Sequence, residues 1–539
     1  MGGRVATNQD STSRLGWLTE IARSLAGQRE LNHLLESILT FARQATNADG
    51  GTVYRASDDG QRLTFDLVQN QSLALHLGGT SSVPANFAPM RLYDDQGVEN
   101  RSSVVAYCAL ERRSVRIDDA YAAAGFDFQG AKRFDAANNY RSQSFLTVPM
   151  VAGDDQLIGV LQLINARTDD GSTTAFTEAD MQFIEALASQ AAIAIENKLL
   201  VDRLESLFFA FVNLINVAID DKSPYTGGHC QRVPELTMML ADAASATLDG
   251  PLSSFTMTER DRAELLIAGL LHDCGKITTP VHVVDKSTKL ETIYDRINLV
   301  ETRLTALRRE AEIESLKSQL AGTPVAAAEA SLAAALAAID DDMQFLRRVN
   351  IGQERMPDED LDRIKQIATQ QWTDATGAKL PLLTANELEN LMVPYGTLTA
   401  VERQIINHHI VATNKMLEAL PWPPHLRNVP EYAGGHHERM DGKGYPRGLT
   451  RDQMSVQART MGIADIFEAL TAADRPYKVG KTLTESLQIL GRMAQSGHVD
   501  PDLFDIFVRK KVYLRYAERF LEPKQIDHVN EAAIPGYTP

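Results

Sequence analysis

Leu31, Leu34, Leu35, Ile38 and Leu39 recur at three- and four-residue steps and predict an amphipathic helix over Leu31–Ala45. The pattern then changes to short β-branched and apolar runs, Gly51–Arg55, Leu63–Val68, Ser144–Val151 and Leu157–Asn165, each bounded by Asp, Gly or Asn, which predict strands. Phe176-Thr177-Glu178-Ala179-Asp180 opens a long helix, with Thr177 and Asp180 at capping-box spacing although Asp replaces the preferred Glu or Gln. Helix, antiparallel strands, helix describes an α+β sensory module. Further along, Leu200, Leu204, Leu207, Phe211 and Leu214 follow a four-three spacing of coiled-coil type. That seam either packs on its own domains or joins two chains, and its place between two domains favours a parallel dimer linker. Between Leu290 and Leu398, Ile293, Ile297, Val300, Leu304 and Leu307 form another such seam, and Ala326–Ile339 is Ala-rich, so a helical hairpin is expected there. Its interspersed Arg and Glu residues read as a solvated face.

The length of 539 residues, at roughly 150 residues per domain, argues for several cores. Hydrophobic residues at 44% and charged residues at 23% are the balance of a globular protein. The formal charge of -17 argues against a broad nucleic-acid surface, which needs clustered Lys and Arg, yet leaves room for one basic pocket that takes a small anion. Cys108, Cys230 and Cys274 are far apart and form no C-x-x-C pair, so neither a disulfide framework nor a thiolate zinc site is expected. Met1–Gly16 has no apolar segment of signal-peptide length, and no run is long and apolar enough for a membrane span; a cytoplasmic location is the expectation.

The chemistry concentrates in the C-terminal half. His272 and Asp273 stand side by side at the end of the apolar helical stretch Leu265–Leu271, where burying both costs several kcal/mol unless they are paired or bound. A divalent metal supplies the compensation, since imidazole and carboxylate are both good ligands and a carboxylate has two oxygens with which to bridge two ions. Four more clusters accompany them: His229 in Thr226-Gly227-Gly228-His229-Cys230, His408-His409 on a helix, His436-His437 before Glu438, and Asp465 after Met461-Gly462-Ile463-Ala464. Helical register against Thr413 and Leu417 selects His409 over His408.

Two resemblances organise these observations. Ser144–Met150 followed by Leu157–Asn165 resembles the last strands of a GAF domain, covering about residues 12–198, and Asp118–Tyr121 through Phe134-Asp135 looks like the loop that lids the pocket of cyclic-nucleotide-binding members. The ligand is then a cyclic nucleotide, another molecule or none, since fold does not fix function. The ordered set His229, His272-Asp273, Lys276, His409, His436-His437, Gly444-Tyr445-Pro446, Asp465 and Arg475-Pro476-Tyr477-Lys478 resembles the HD-GYP family.

This resemblance implies an all-α HD-type phosphohydrolase domain that hydrolyses cyclic di-GMP, with either pGpG or GMP as the end product, and holds two divalent ions, iron or manganese. The ligands carried over are His229, His272, Asp273, His409, His436, His437 and Asp465. Asp273 bridges and, with Lys276, is catalytic. Lys276, Arg475 and Lys478 bind the substrate. Family members with a third ion carry Glu four residues before the first His; Tyr225 stands there and argues against it. Glu468 stands three after Asp465 where Asp is usual, a longer side chain that keeps the charge but can shift the substrate. The Gly-Tyr-Pro turn shapes the pocket rim or contacts a partner, and in the latter case Tyr445 is exposed.

The expected multidomain layout is a polar tail over 1–11, an α+β GAF domain over 12–198 (antiparallel sheet with flanking helices), and a coiled-coil linker over 199–219. The all-α domain follows over 220–520, with a helical insertion at 291–397, and then a tail over 521–539. A homodimer through the linker and a protein partner at the Gly-Tyr-Pro loop or the insertion are the expected contacts. Two alternatives stand beside cyclic di-GMP hydrolysis: action on another cyclic dinucleotide or phosphate ester, and a catalytically silent binding module.

Overall fold

The computed structural model describes residues 30–222, 228–473 and 480–538. Arg475 and Lys478, with Pro476 and Tyr477, lie outside the described residues, as do Tyr225 and the polar stretch expected over 1–11. The chain divides into two compact units, Met1–Phe208 and Phe209–Pro539. Among the described residues no helix is long and apolar enough to cross a membrane.

In the N-terminal unit the leucine stripe forms α1 (Leu31–Thr46), and the chain continues through strands β1 (Ala48–Ala56), β2 (Arg62–Asn70), β3 (Leu75–Gly78), β4 (Met90–Arg91), β5 (Val115–Ile117), β6 (Phe145–Val151), β7 (Leu157–Arg167) and β8 (Thr173–Thr174); the four predicted runs are β1, β2, β6 and β7, and the other four strands are shorter and lie outside those runs. They make one antiparallel sheet in the order β3-β2-β1-β7-β6-β5, with β4 on β2 and β8 on β7. Leu34, Leu35, Ile38 and Leu39 of α1 share a core with Leu161 and Leu163 of β7 and with Ile184, Leu187 and Ala191 of α4 (Glu178–Lys222). The predicted cap at the start of α4 forms: Asp180 accepts from Thr177 N at 3.0 Å, and Thr177 Oγ1 accepts from Asp180 N at 3.1 Å. The opposite face of the sheet is covered by α2 (Val104–Glu111) and α3 (Gln129–Asn138), which explains why β1 and β7 are buried on both sides. The segment read as a pocket lid, 118–135, runs into α3, and Phe128 and Phe134 line a cavity of about 630 Å³ together with Tyr54, Phe65 and Phe145.

The C-terminal unit is helical. Its main helices are α5 (His229–Ser245), α6 (Glu259–Leu271), α7 (Ile297–Leu320), α8 (Val325–Asn350), α9 (Asp358–Ala368), α10 (Ala385–Leu391) and α11 (Ala400–Glu418), followed by α12 (Val429–Gly434), α13 (Val456–Thr471), α14 (Leu483–Gln495), α15 (Pro501–Arg509) and α16 (Val512–Phe520). The insertion is a helical hairpin of α7 and α8, but it is more than that. It also carries α9, α10 and a small antiparallel pair, β9 (Gln371–Thr373) with β10 (Lys379–Pro381). Val300 and Leu304 join Phe345, Leu346, Val349, Ile364 and Leu382 in a core of its own. Ile293 does not belong to that seam: it is 94% exposed, because α7 starts only at Ile297. The segment expected as a C-terminal tail packs back on the unit, with Gln525 buried and its amide donating to Thr471 O at 2.7 Å.

Candidate metal centre

Helix α6 starts from a capping box between Thr258 and Asp261 and buries Leu265, Ile267, Ala268 and Leu271. It stops at Leu271, so His272 is its C-cap and Asp273 follows before a 3-10 turn, Cys274–Thr278. His272 Nδ1 lies 2.7 Å from Gly269 O. A carbonyl oxygen only accepts, so Nδ1 carries the proton and Nε2 is a lone pair; that Nε2 is buried with no hydrogen-bond partner. The arrangement repeats at His409 Nδ1, 2.6 Å from Ile406 O, and at His436 Nδ1, 2.6 Å from Ala433 O, and His436 Nε2 is likewise buried and unpartnered. Each such atom costs on the order of 1–3 kcal/mol. His409 is buried and His408 exposed, as the helical register predicts.

These nitrogens converge in two groups. His229, His272 and Asp273 form one, and His409, His436 and His437 the other, with the ligand atoms of each group lying within 4.8 Å of one another. Asp273 stands between them: Oδ2 is 3.0 Å from His229 Nε2 and 3.2 Å from His272 Nε2, and Oδ1 is 3.3 Å from His409 Nε2. Asp465 Oδ1 lies 3.4 Å from His229 Nε2, and His437 Nε2 is 3.2 Å from His409 Nε2. All seven residues predicted as ligands are therefore in one place.

The electrostatics suit a cation. Burial, reinforced by His272, pushes the His436 imidazole down to about 4, and burial with His436 and His409 holds His437 well below its usual range. Burial opposes ionisation of Asp273, but the Lys276 ammonium and His272 overcome it and hold the carboxyl well below the carboxylate range. The neutral imidazoles of His436 and His437 and the ionised Asp273, set among unpartnered buried acceptors, belong to the donor set that a divalent cation satisfies.

Around this cluster the chain is close-packed. Lys276 arrives through the 3-10 turn rather than along a continued helix, and its Nζ pairs with Asp273 Oδ2 at 2.6 Å while its side chain stays 23% exposed. Lys222, the last residue of α4, donates to Lys276 O and Ile277 O. Gly275 N donates to Thr413 Oγ1 at 2.9 Å, and a Cβ at 275 would lie 2.0 Å from His409 O, so glycine is what lets the His-Asp turn touch α11. The Gly-Tyr-Pro turn folds over the cluster: Tyr445 is half-buried and stacks on His437 with ring centroids 4.9 Å apart, in contrast to the exposure that a partner contact called for. Gly444 fits because a Cβ there would come within 2.4 Å of Arg439 N. Buried Glu438 pins the following loop by accepting from Arg447 N at 2.7 Å and Leu449 N at 2.9 Å.

The sequence marks Glu468 for an effect on the substrate and does not mark Arg232; in the structure both carboxylate oxygens of Glu468 are engaged within the protein, Oε2 2.6 Å from His229 Nδ1 and Oε1 taking Arg232 Nε at 2.7 Å. Burial opposes its ionisation, yet His229 and Arg232 hold the carboxyl down to about 2; in turn, burial would lower His229, but Glu468 and Asp273 raise it to about 9. The signal was available in spacing, since Glu468 is one helical turn after Asp465 and Arg232 one after His229.

Comparison with known proteins supplies the class. The GAF domain profile matches residues 30–195, and two HD domain profiles match residues 226–345 and 377–503. The chain carries a GAF domain followed by an HD domain, and the HD domain implies divalent metal binding. The break between the two HD matches falls inside the insertion.

Among curated relatives, the chain is 46% identical over 81 residues to a 3'3'-cGAMP-specific phosphodiesterase of Vibrio cholerae, covering 15% of this chain and 19% of the relative. It is 47% identical over 75 residues to a cyclic di-GMP phosphodiesterase of Pseudomonas aeruginosa, covering 14% of this chain and 17% of the relative. A second 3'3'-cGAMP-specific phosphodiesterase of Vibrio cholerae is 34% identical over 109 residues, covering 20% of this chain and 23% of the relative. The chain thus spans less than a quarter of the length of each. The HD-GYP resemblance read from the motifs agrees with these relatives.

Proposed function

We propose that the C-terminal unit is a metal-dependent phosphodiesterase that hydrolyses cyclic di-GMP, with linear pGpG or GMP as the end product. The observation that carries the proposal is the convergence of His229, His272, His409, His436 and His437 around Asp273, with His272 Nε2, His436 Nε2 and Asp273 Oδ1 buried and unpartnered. His229, His272, Asp273 and Asp465 would hold one divalent ion and His409, His436, His437 and Asp273 a second, iron or manganese. Ions bound there supply an acidified water and neutralise charge on a phosphodiester. Asp273 orients both groups, and Lys276, beside it and partly exposed, places its ammonium on a nonbridging phosphate oxygen. Tyr445 walls one side of the cluster by stacking on His437. Arg475 and Lys478 take the second phosphate or a guanine.

A second substrate, 3'3'-cGAMP, is favoured by two of the relatives, whose names carry it. Metal-loaded protein assayed side by side on cyclic di-GMP, 3'3'-cGAMP and a simple phosphodiester separates the readings. Preferential cleavage of cyclic di-GMP supports the first, and intact cyclic dinucleotides under all metals overturn both.

The GAF unit regulates this activity in the cytoplasm, with a cyclic nucleotide or no ligand in its cavity. A second copy of the chain is the proposed partner of α4, on which Leu204 is 65%, Leu207 53%, Phe211 56% and Leu214 60% exposed. Light scattering of the Leu204→Glu variant tests it: the dimer falls to monomer, and an unchanged mass rejects the linker.

A further inference from the structure

The buried histidines of the cluster are not all held in the same way. His272, His409 and His436 each give Nδ1–H to the carbonyl three residues back, at 2.7, 2.6 and 2.6 Å. His229 is the first residue of α5, so no preceding turn of that helix offers it such a carbonyl. Its Nδ1 lies instead 2.6 Å from Glu468 Oε2. The side chain of Glu468 is 1% exposed, and its other oxygen, Oε1, takes both Nε and Nη2 of Arg232, each at 2.7 Å. Arg232 is one turn beyond His229 on α5, and Glu468 one turn beyond Asp465 on α13, so the two helices that bring these ligands also bring the two halves of the clamp.

The consequences follow from donor and acceptor counting. An ionised carboxylate only accepts, so the nitrogen facing Glu468 carries a proton that it keeps, and Nε2, which points at Asp273 and Asp465, is the nitrogen left to face an ion. The guanidinium fork occupies Oε1 and offsets the carboxylate charge, which keeps Glu468 on the Nδ1 side of the ring instead of among the ligands. Where the family pattern has Asp, the additional methylene of Glu gives about 1.5 Å of extra reach.

We propose that Glu468, clamped by Arg232, is the positioning residue of His229: it fixes the tautomer, aims Nε2, and sets how tightly the ion served by His229, His272 and Asp273 is held. The inference rests on the metal-centre reading above. Partners of this kind behind a metal-bound histidine typically alter affinity tenfold to a hundredfold.

The test uses the full chain loaded with manganese and titrated with chelator. Metal per chain is counted by mass spectrometry, and spin-coupled pairs are told from single ions by electron paramagnetic resonance. Glu468→Gln should release one ion at a free-metal concentration about tenfold to a hundredfold above that of the unaltered chain, leaving a single-ion spectrum while the other ion stays in place. Arg232→Gln should shift the same ion by less, and Glu468→Asp, which restores charge without reach, should fall between Glu468→Gln and the unaltered chain. His229→Ala sets the limit for emptying that position.

The inference is overturned if Glu468→Gln and Glu468→Asp hold both ions as the unaltered chain does. It is equally overturned if both ions leave together in step with a fall in the melting temperature of the metal-free protein, the mark of a merely structural role. An unaltered chain that takes up no divalent ion overturns the metal-centre reading and this inference with it.

Discussion

Around the cavity of the N-terminal unit the inner polar groups find partners within the protein: Tyr54 Oη donates to Gln162 Oε1 at 3.2 Å, Gln162 Nε2 to Thr147 Oγ1 at 3.0 Å, and Tyr140 Oη to Asp49 Oδ2 at 2.6 Å. At the centre of the C-terminal unit, His272 Nε2, His436 Nε2 and Asp273 Oδ1 are buried without any. The contrast separates two kinds of site. Unpartnered acceptors that converge state the charge and hardness of what they await, so the chemistry of the metal centre can be argued from the protein alone. A cavity whose inner polar groups are bonded to one another defines a volume and an aromatic lining, and among the described residues only Asp127 and Arg133 bring charge to its wall.

The largest test of this contrast removes the residue between the two metal groups. Asp273→Ala should lower hydrolysis by about a thousandfold or more and empty both metal positions, measured by turnover and metal content, while the N-terminal unit melts unchanged. The converse change is Phe145→Ala in the cavity wall, where Phe145 is 5% exposed and packs on Phe128. It should cost the N-terminal unit about 3 kcal/mol by chemical denaturation and leave the metal count untouched. Next comes the pair of adjacent histidines. His409→Ala should weaken one ion by about a hundredfold, whereas His408→Ala, at an exposed position, should leave both ions as they were in the same chelator titration.

The smallest effect concerns a buried cation that is bonded but not charge-matched. Lys289 is 1% exposed, and its ammonium donates to Leu391 O and Val393 O. Burial lowers its pKa from 10.5 to about 8. Between those values the unfolded chain binds more protons than the folded one, so stability should rise as the pH climbs from about 8 toward 10.5, with a slope of about 1.4 kcal/mol per pH unit at its steepest. Urea midpoints of the metal-free chain at several pH values should reveal that slope, and Lys289→Met should flatten it.

Much of this was legible because periodicity and burial leave marks in sequence. The α1 stripe, the four central strands and the cap at Thr177 follow from local spacing, and the His-Asp pair stood out because an apolar helix delivers two polar groups into a core. What was not legible depended on tertiary contacts. Ile293 fits the arithmetic of a seam yet precedes the helix that would have used it. Strands β9 and β10 are three residues each, too short for an alternating pattern to register. The direction in which Glu468 points is set by Arg232 on another helix, and the stacking of Tyr445 on His437 by the return of the loop after Gly444. Residues 521–538 look like a polar tail until Gln525 is seen bonded beneath α13 and Ile534 buried.

Position 275 has no room for a side chain: besides His409 O, a Cβ would meet Thr413 N at 2.5 Å. Even alanine there would pry α11 from the turn and carry His409 away from Asp273, so the methyl group would be felt inside the histidine cluster rather than at the surface. In terms of inheritance, the stretches around 273 and 409, far apart in the chain, cannot drift separately. A change tolerated in one is tolerated only if the backbone of the other stays where it is.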